Sequence, residues 1–353
     1  MKNIVGAILI VMMIQADACV QPSKRATQWN SLSPIPDSIG FAGSFAGVSN
    51  GALLVAGGAN FPDGGAPWTG SLKKWSNKIF LLDAPTGKWR LSGSLPDSLG
   101  YGGSVSYKDE LILIGGSNEN GHNTAVIAIQ NNDTGVSNRR LPDLPKPMAN
   151  STAVLSGHHI YVAGGISKPD ATEAEADFWR LDLEDNAKGW EVLDSWPGSP
   201  RMLAVLGEHA GKIYLLSGVA LINGQRKYLE DAFRFDPVSG WSQIANLPVS
   251  VAAAASPALS MQDGLIIVGG DDGELAPQAS ELKEKHPGFS NRMLHYNVAS
   301  NSWSNEGEVH LAGTSIPVTT TAVQWNNLYV LPGGEVRPAV RTNVVLALKT
   351  NEQ

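Results

Sequence analysis

The sequence LLVAGG at residues 53–58 decides the fold, because variants of it recur along the whole chain. Each copy joins an apolar β-strand pattern to a terminal pair of small residues. Five more copies follow: LILIGG ending at Gly116, IYVAGG at Gly165, IYLLSG at Gly218, LIIVGG at Gly270 and LYVLPGG at Gly334. Their ends lie roughly 50 to 64 residues apart. An internal repeat of this length indicates one structural unit used six times.

Each copy is the second strand of a larger unit. A strand of small residues precedes it, as in FAGSFAGVS at residues 41–49, and most copies are followed by a strand that ends in a turn and a Trp. Those tryptophans are Trp89, Trp190, Trp241 and Trp303. Such a unit, with a period of about 50 residues, is typical of kelch repeats, which stack around an axis to bury both sheet faces. The pattern predicts an all-β fold, a six-bladed kelch-type β-propeller over residues 28–353, with the tryptophans between blades.

The two ends of the chain are predicted to share one blade. The sixth unit ends at Thr350 after its third strand and has no closing Trp of its own. The segment QWNSL at residues 28–32 resembles the Trp-containing fourth strand of the first unit. We therefore expect the N-terminal strand to complete the last blade, which removes the open sheet edges that invite aggregation.

Composition and the N-terminus bound the function. A formal net charge of −7 argues against nucleic acid as a partner, since binding it needs a basic surface. Residues 1–18 resemble an export signal, with Lys2 before an apolar run too short to span a bilayer. Residues 19–27 would then be an N-terminal tether, whose Cys19 is either unused or lipidated as a membrane anchor. We expect a periplasmic or outer-membrane-associated protein, and the sequence does not indicate its oligomeric state.

Antiparallel strands, labelled A to D from the axis outward, bring the B-to-C and D-to-A connections to the same face. Glu335 directly follows the last Gly-Gly pair, Arg341 lies six residues later, and Arg201 precedes strand A of blade four. We expect all three on this face. Long B-to-C loops at residues 59–78 and 271–292 crowd it as well, and loops of this length are usually functional. This predicts a lidded pocket for a small ligand.

Each of these residues also has a purely structural interpretation. Glu335 would be a turn carboxylate, Arg341 a partner in an ion pair between blades, and Arg201 a turn cap or a neighbour of Trp. Together they indicate an anion-binding centre, because guanidinium groups suit carboxylates. The acidic run at residues 271–274 is either a calcium cluster or an acidic turn. The sequence has no CxxC, HExxH or Walker motif, so we expect no metal and no cofactor.

The stretch GGEVRPAVRT at residues 333–342 resembles the G-E-x-K/R-P-x-x-R-T motif of bacterial N-acetylneuraminate epimerases, the sialic acid mutarotases. The first blade is also similar to that family in FAGSFAGVSNGALLVAGGANFP and SLKKWSNKIFL, as is PGSPR at residues 197–201 to a family G-G-P-R. The similarity spans six blades in rotated order, which implies the cyclically permuted branch of the family.

The resemblance implies interconversion of the α and β anomers of N-acetylneuraminate, an acidic sugar, with no metal or cofactor. It implies that Glu335 is the general acid/base, that Arg341 is its charged partner and that Arg201 binds substrate. Further candidate substrate-binding residues lie in the blade-one loop and in the motif: Asn60, Lys73, Lys74 and Arg337. The blade-one and blade-five loops depart most from the family and should set the choice of sugar.

Two alternatives to a sialic acid mutarotase stay open. The protein could be a non-catalytic propeller that binds a glycan or a protein partner at the cell surface. It could also be an epimerase or lyase for another acidic sugar. The loop that holds Glu335 and Arg341 favours an enzyme, since a scaffold has no need of it.

Overall fold

The computed structural model describes residues 28–311 and 313–349. In this part of the chain, six four-stranded antiparallel sheets are arranged as the blades of a propeller, each with sheet order A-B-C-D. The predicted all-β, six-bladed propeller is therefore confirmed. The predicted signal at residues 1–18 and the tether at residues 19–27 lie outside the described residues.

The strands of each blade are as follows, in the order A to D. Blade one has Phe45–Ser49, Ala52–Ala56, Lys78–Leu82 and Arg90–Ser94, and blade two has Gly103–Tyr107, Glu110–Ile114, Val126–Asn132 and Gly135–Leu141. Blade three has Thr152–Ser156, His159–Ala163, Phe178–Asp182 and Glu191–Leu193, and blade four has Val205–His209, Lys212–Leu216, Ala232–Asp236 and Gly240–Ile244. Blade five has Leu259–Met261, Gly264–Val268, Arg292–Asn297 and Ser302–Glu308, and blade six has Val323–Trp325, Leu328–Arg337, Val340–Lys349 and Gln28–Leu32.

Shorter elements decorate the connections. Two-stranded ribbons pair Ala59–Asn60 with Lys74–Trp75, Ser117–Asn118 with Gly121–His122, and Val219–Ile222 with Gln225–Tyr228. Short helical turns are Pro67–Thr69, Asn186–Lys188, Ala276–Gln278, Ala279–Leu282 and Lys283–Lys285. Within the described ranges, no helix has the length and apolar character needed to cross a membrane.

The N-terminal strand closes the ring, as predicted. Gln28–Leu32 pairs antiparallel with Val340–Lys349, with Gln28 opposite Lys349 and Leu32 opposite Val345. The last blade is thus built from both ends of the described chain. With this strand in place, blade six has four strands like the other five.

The repeated tryptophans join neighbouring blades. Each indole Nε1–H donates to a backbone carbonyl that follows strand D of the preceding blade. The pairs are Trp89 to Ser33 at 2.7 Å, Trp190 to Pro142 at 2.9 Å, Trp241 to Asp194 at 2.8 Å and Trp303 to Ala245 at 2.9 Å. The predicted packing of Trp between blades is confirmed at these four junctions, and each of them includes a satisfied polar group.

A closed circle of backbone hydrogen bonds surrounds the axis. It is made by six residues that precede the A strands and are here called the axial circle: Gly43, Tyr101, Asn150, Leu203, Ala253 and Thr319. Each N–H donates to the carbonyl of the previous member at 2.8–2.9 Å, and the N–H of Gly43 donates to Thr319 to close the circle. All six have positive φ, between 50° and 66°. The circle therefore satisfies the backbone N–H and C=O groups around the axis. It requires a left-handed backbone conformation at all six positions, which residues other than glycine adopt rarely.

The small pairs place the next residue at the rim of the axial opening. In blade six, Gly333 and Gly334 have φ of 70° and 122°, and a Cβ on Gly334 would lie 2.7 Å from the Cβ of Pro317. The residue after each pair, here called the rim residue, then forms an antiparallel bridge with a residue ahead of strand A. The six rim residues are Ala59, Ser117, Ile166, Val219, Asp271 and Glu335. Glycine is needed for the turn, and the turn fixes where the rim residue lies.

Candidate active site

A cavity of about 490 Å³ opens at the face that carries the B-to-C loops. Five members of the axial circle line it, from Tyr101 to Thr319, together with four rim residues, Ser117, Ile166, Asp271 and Glu335. Lys73 and Trp75 of the blade-one loop and the blade-four ribbon complete the wall. The predicted pocket on this face is therefore present, and it lies over the propeller axis.

Glu335 is held rigidly in this wall. Its backbone N–H and carbonyl both bond to Val318, at 2.9 and 2.8 Å. The side chain is 17% exposed, and its Oε1 accepts the N–H of Ala339 at 2.8 Å. Burial raises the pKa of Glu335 above its ordinary 4.5, while Arg341 and then the bond from Ala339 act in the opposite direction. A carboxyl with a raised pKa in a cavity suits general acid/base chemistry.

Arg341 lies beside Glu335, as predicted. Its Nη1 is 3.4 Å from Oε1 of Glu335, and its side chain is 5% exposed. The Nη2 group donates to the Tyr101 hydroxyl at 3.3 Å, and the guanidinium lies 5.0 Å above the ring centre of Phe61. Within the described residues, no hydrogen-bond acceptor is in place for Nε or Nη1. Arg341 therefore neutralises the carboxylate by charge and keeps donor groups that a ligand could satisfy.

Lys73 is a cation that lines the cavity itself, whereas Arg341 does not. Its Nζ lies 4.5 Å from the ring centre of Trp75 and 5.0 Å from that of Tyr101. Burial is the main cause that lowers the pKa of Lys73, Arg341 lowers it further, and Glu335 raises it. The amine is stabilised by aromatic faces rather than by a carboxylate, so a negatively charged ligand would stabilise it further.

The placement predicted for Arg201 is wrong. Its side chain is fully buried, and Nη1 and Nη2 each bond to a carboxylate oxygen of Asp231 at 2.9 Å. The guanidinium packs between the rings of Trp196 and Phe233 and also donates to the carbonyls of Ser199 and Ser217. The nearby Asp231 draws the side chain into the blade wall, away from the cavity. The alternative structural interpretation, packing on a neighbouring Trp, describes Arg201 correctly.

Asn60, Lys74 and Arg337, the other predicted substrate-binding residues, are not among the residues that line this cavity. Asn60 is buried and donates to the carbonyl of Gly40 at 3.0 Å. Lys74 begins the strand Lys74–Trp75 and is exposed. Successive side chains of a strand point to opposite sides, so Lys74 points away from the cavity that Trp75 lines. A register shift between Glu335 and Arg337 turns Arg337 away as well, and it donates to the carbonyl of Glu284 in the blade-five loop at 3.0 Å.

Sequence reasoning missed a second polar group on the cavity wall. The Tyr228 hydroxyl donates to Oδ2 of Asp271 at 2.6 Å. Burial and then this bond raise the pKa of Tyr228 to about 12. Arg226, two residues earlier on the same ribbon, also lines the cavity. Asp271 is the rim residue of blade five, so comparing the residues that follow each small pair would have revealed it.

The acidic run at residues 271–274 has the bonding of a turn. Oδ1 of Asp271 accepts the N–H of Gly273 at 3.0 Å, and Oδ1 of Asp272 accepts that of Glu274 at 3.1 Å. Of the two interpretations, the acidic turn is the one that these bonds support. A group of residues with metal-ligand spacing, His158, His159 and Asp182, lies on the opposite face of the propeller.

Comparison with known proteins assigns the family. The family model described as N-acetylneuraminate epimerase matches residues 12–137 and 141–275. Curated N-acetylneuraminate epimerases from Salmonella typhimurium and Yersinia pestis are 26% and 29% identical over 230 and 229 residues. Each alignment covers 58% of this chain, and they span 57% and 56% of the two relatives.

A solved structure, titled "Structure of YjhT", has the same fold. It aligns with a TM-score of 0.66 at 16% identity, covering 90% of this chain and 97% of the other. The family match ends before Glu335 and Arg341, so their roles depend on the motif and on the cavity geometry. Since the family model matches well over half of the residues of this chain, the chain belongs to the N-acetylneuraminate epimerase family.

Proposed function

We propose that this protein is a mutarotase that interconverts the α and β anomers of N-acetylneuraminate. The observation that carries the proposal is the Glu335 carboxyl, with a raised pKa and Arg341 beside it, in the wall of an open cavity. Family membership supports the same reaction. A cavity of about 490 Å³ is within the range of roughly 300–1,000 Å³ that is usual for small-molecule sites.

The reaction matches what Glu335 can do. Ring opening requires removal of a proton from the anomeric hydroxyl and protonation of the ring oxygen. The resulting carbonyl turns its other face and the ring closes again. A carboxylate with a raised pKa is a stronger base than an ordinary one, and a larger fraction of it carries a proton at neutral pH, so both of its protonation states are available for the reaction. Arg341 keeps enough of Glu335 ionised for the first step, because its positive charge opposes the effect of burial.

The charges of the cavity favour an acidic sugar. Lys73 and Arg226 line it, and neither has a carboxylate partner among the ion pairs of residues 28–311 and 313–349. Both side chains are solvent-exposed, and exposed cations grouped at the wall of a cavity attract an anionic ligand. The sugar's own carboxylate would supply that charge, and its hydroxyl groups would meet the polar wall formed by Asn150, Tyr228 and Asp271.

The deciding experiment measures anomer exchange of N-acetylneuraminate by NMR. The native protein should accelerate exchange, and Glu335→Gln should reduce the rate by about 10²–10⁴-fold, the usual contribution of general acid/base catalysis. Glu119→Gln is the matched control, because Glu119 is an exposed carboxylate that lines the same cavity, with Ser98 and Lys74 as its neighbours instead of Arg341. It should change the rate by no more than about threefold.

Two outcomes would contradict the proposal. Exchange at the spontaneous rate with native protein, but tight sugar binding, would leave a glycan-binding propeller. Exchange of another acidic sugar in a panel of uronates and nonulosonates, without action on N-acetylneuraminate, would keep the chemistry and change the substrate.

We also propose that the protein acts outside the cytoplasm, either in the periplasm or attached to the outer membrane through Cys19. The support is the signal-like sequence of residues 1–18. Cell fractionation tests the compartment, and Cys19→Ser tests the attachment. Release of this variant into the soluble periplasm is the expected result, and an unchanged membrane fraction would refute the tether.

A further inference from the structure

The backbone of the propeller holds Tyr101 in a conformation that tyrosine rarely adopts. It belongs to the axial circle, with a φ of 61°, and a bulky residue in this conformation is unusual. Its ring packs directly against Gly43, where an added Cβ would lie 2.6 Å from the ring carbon Cδ1. The absence of a side chain at Gly43 therefore leaves the space that the Tyr101 ring occupies.

The Tyr101 hydroxyl has a free proton. Arg341 Nη2 donates to its oxygen at 3.3 Å, so this bond uses a lone pair and leaves the phenolic hydrogen available. In the described part of the chain, no acceptor for that hydrogen is in place. Burial raises the pKa of Tyr101 above its ordinary 10, against a smaller opposing effect of Arg341. The phenol thus keeps its proton at neutral pH and presents it beside Glu335, whose charge also acts on it.

We propose that Tyr101 is the second proton-transfer group of this site, and that it protonates the ring oxygen while Glu335 deprotonates the anomeric hydroxyl. This inference rests on the proposed mutarotase function. Mutarotation moves protons at two different oxygens. Oε1 of Glu335 already accepts the N–H of Ala339 and faces Arg341, so one carboxyl oxygen is left for the sugar and a second group is needed for the other proton. Tyr101 and Glu335 line the same cavity and are joined through Arg341.

The step balances without any further reactant. Glu335 takes the anomeric proton, and the electrons of that O–H bond form the carbonyl as the bond from the anomeric carbon to the ring oxygen breaks. The ring oxygen keeps the electrons of the broken bond and takes the proton of Tyr101. On closure at the other face of the carbonyl, the Tyr101 phenolate takes back that proton and Glu335 returns its own. The transient phenolate is stabilised by Arg341 and by Lys73, whose Nζ lies 5.0 Å from the ring centre.

Tyr228 is the other phenol of the cavity, and its geometry is different. Its hydrogen is already donated to Asp271 at 2.6 Å, and its pKa is raised to about 12. Proton transfer from Tyr228 to a sugar would first require this bond to break. The comparison favours Tyr101 as the donor and leaves Tyr228 a contact for the substrate.

The test compares three Tyr→Phe variants in the anomer-exchange assay, with kcat and KM measured separately. Tyr101→Phe keeps the ring, its contact with Lys73 and the backbone, so the fold should survive. We expect its kcat to fall by about 10²-fold or more with little change in KM. Tyr228→Phe should mainly raise KM, and Tyr107→Phe, whose hydroxyl lies outside the cavity near Glu184, should behave as native.

The pH profile gives a second readout that a structural role would not change. Native kcat should decline at alkaline pH, above the ordinary pKa of 10, as Tyr101 loses its proton, and Tyr101→Phe should lack that decline. An active native enzyme whose Tyr101→Phe variant keeps kcat within about twofold, or loses no more than Tyr228→Phe does, would refute the role of Tyr101 and leave the mutarotase intact. An inactive native protein would refute both proposals.

Discussion

Replacement of Arg201 by Met should destabilise the propeller and leave its affinity for sugar unchanged. The guanidinium is fully buried and makes two bonds of 2.9 Å to Asp231. It also bonds to two backbone carbonyls, of Ser199 and Ser217. Met fills a similar volume but leaves the Asp231 carboxylate and both carbonyls without a partner in the wall. Removing one member of a fully buried ion pair typically costs about 3–5 kcal/mol. Asp231 is 24% exposed, so we expect a cost at the lower end of that range, about 3 kcal/mol.

That free energy corresponds to a measurable shift in Tm. With an unfolding entropy of about 2.1 cal/mol/K per residue, a domain of about 320 residues loses stability by about 0.7 kcal/mol per degree near its Tm. The variant should therefore unfold about 4 °C below the native protein. Thermal and urea unfolding can be followed by the fluorescence of the Trp residues, and KM for N-acetylneuraminate should stay within about twofold of the native value.

A double substitution provides the control. Asp231→Asn alone should destabilise as well, because it leaves the Arg201 charge buried. Arg201→Met combined with Asp231→Leu removes both charges and should recover much of the loss, since replacing a whole buried pair by apolar side chains is often neutral. If Arg201→Met keeps the native Tm and raises KM, then Arg201 is a sugar-binding residue and its assignment to the blade wall is wrong.

Three further outcomes test the cavity. Lys73→Met should raise KM for the acidic sugar about tenfold with kcat nearly unchanged, whereas Lys74→Met, one residue away on the exposed side, should have no effect on either. The kcat–pH profile should have an acidic limb above 4.5, because the pKa of Glu335 is raised; a limb at or below 4.5 would contradict this. As pH rises from the ordinary pKa of 4.5 through the raised pKa of folded Glu335, the free energy of unfolding should decrease, because the unfolded chain loses this proton at a lower pH than the folded protein does. Thermal unfolding of Glu335→Gln should lack this pH dependence. Gly334→Ala should lower kcat more than a surface substitution does, because its Cβ would lie 2.7 Å from that of Pro317 and displace the Glu335 backbone; native kcat in this variant would show that the turn does not position the carboxyl.

The fold could be predicted from the sequence because its signals are local and repeated. Each apolar strand ends in a pair of small residues. Small residues are favoured there because the turn has two successive positive φ angles, as at Gly333 and Gly334. The Trp29 segment also identified the closing strand, because a missing fourth strand in the last unit needed a partner from elsewhere. Repetition makes such inferences safe, since an error in one unit is corrected by the others.

The site could be predicted only in part, because side-chain direction depends on neighbours that are distant in sequence. Glu335 and Arg341 were found, since both lie on one hairpin and pair across it. Arg201 was misplaced because its partner Asp231 is 30 residues away. Tyr101 carried no sequence signal, because its position comes from the axial circle, which no single unit shows on its own.

The rim residues explain how a repetitive fold acquires one active site. All six are fixed by the same turn and the same backbone bridge, so the backbone alone does not distinguish them. Four are Ala, Ser, Ile and Val, while Asp271 and Glu335 are acidic and occupy adjacent blades. The side chains beside these two carboxylates differ. Glu335 faces Arg341, whereas Asp271 accepts a hydrogen bond from the Tyr228 hydroxyl.

Chemistry at this rim therefore depends on which side chain follows the small pair and on what the next loop places beside it. The axial circle and the bridges have the same connectivity wherever the chain starts, because the ring is closed by hydrogen bonds between backbone groups and not by the order of the blades in the chain. A rotated order of blades, as expected from the resemblance in residues 333–342, would leave these positions unchanged. This is the physical reason why a permuted propeller can keep the pocket of its relatives while its loops change the ligand.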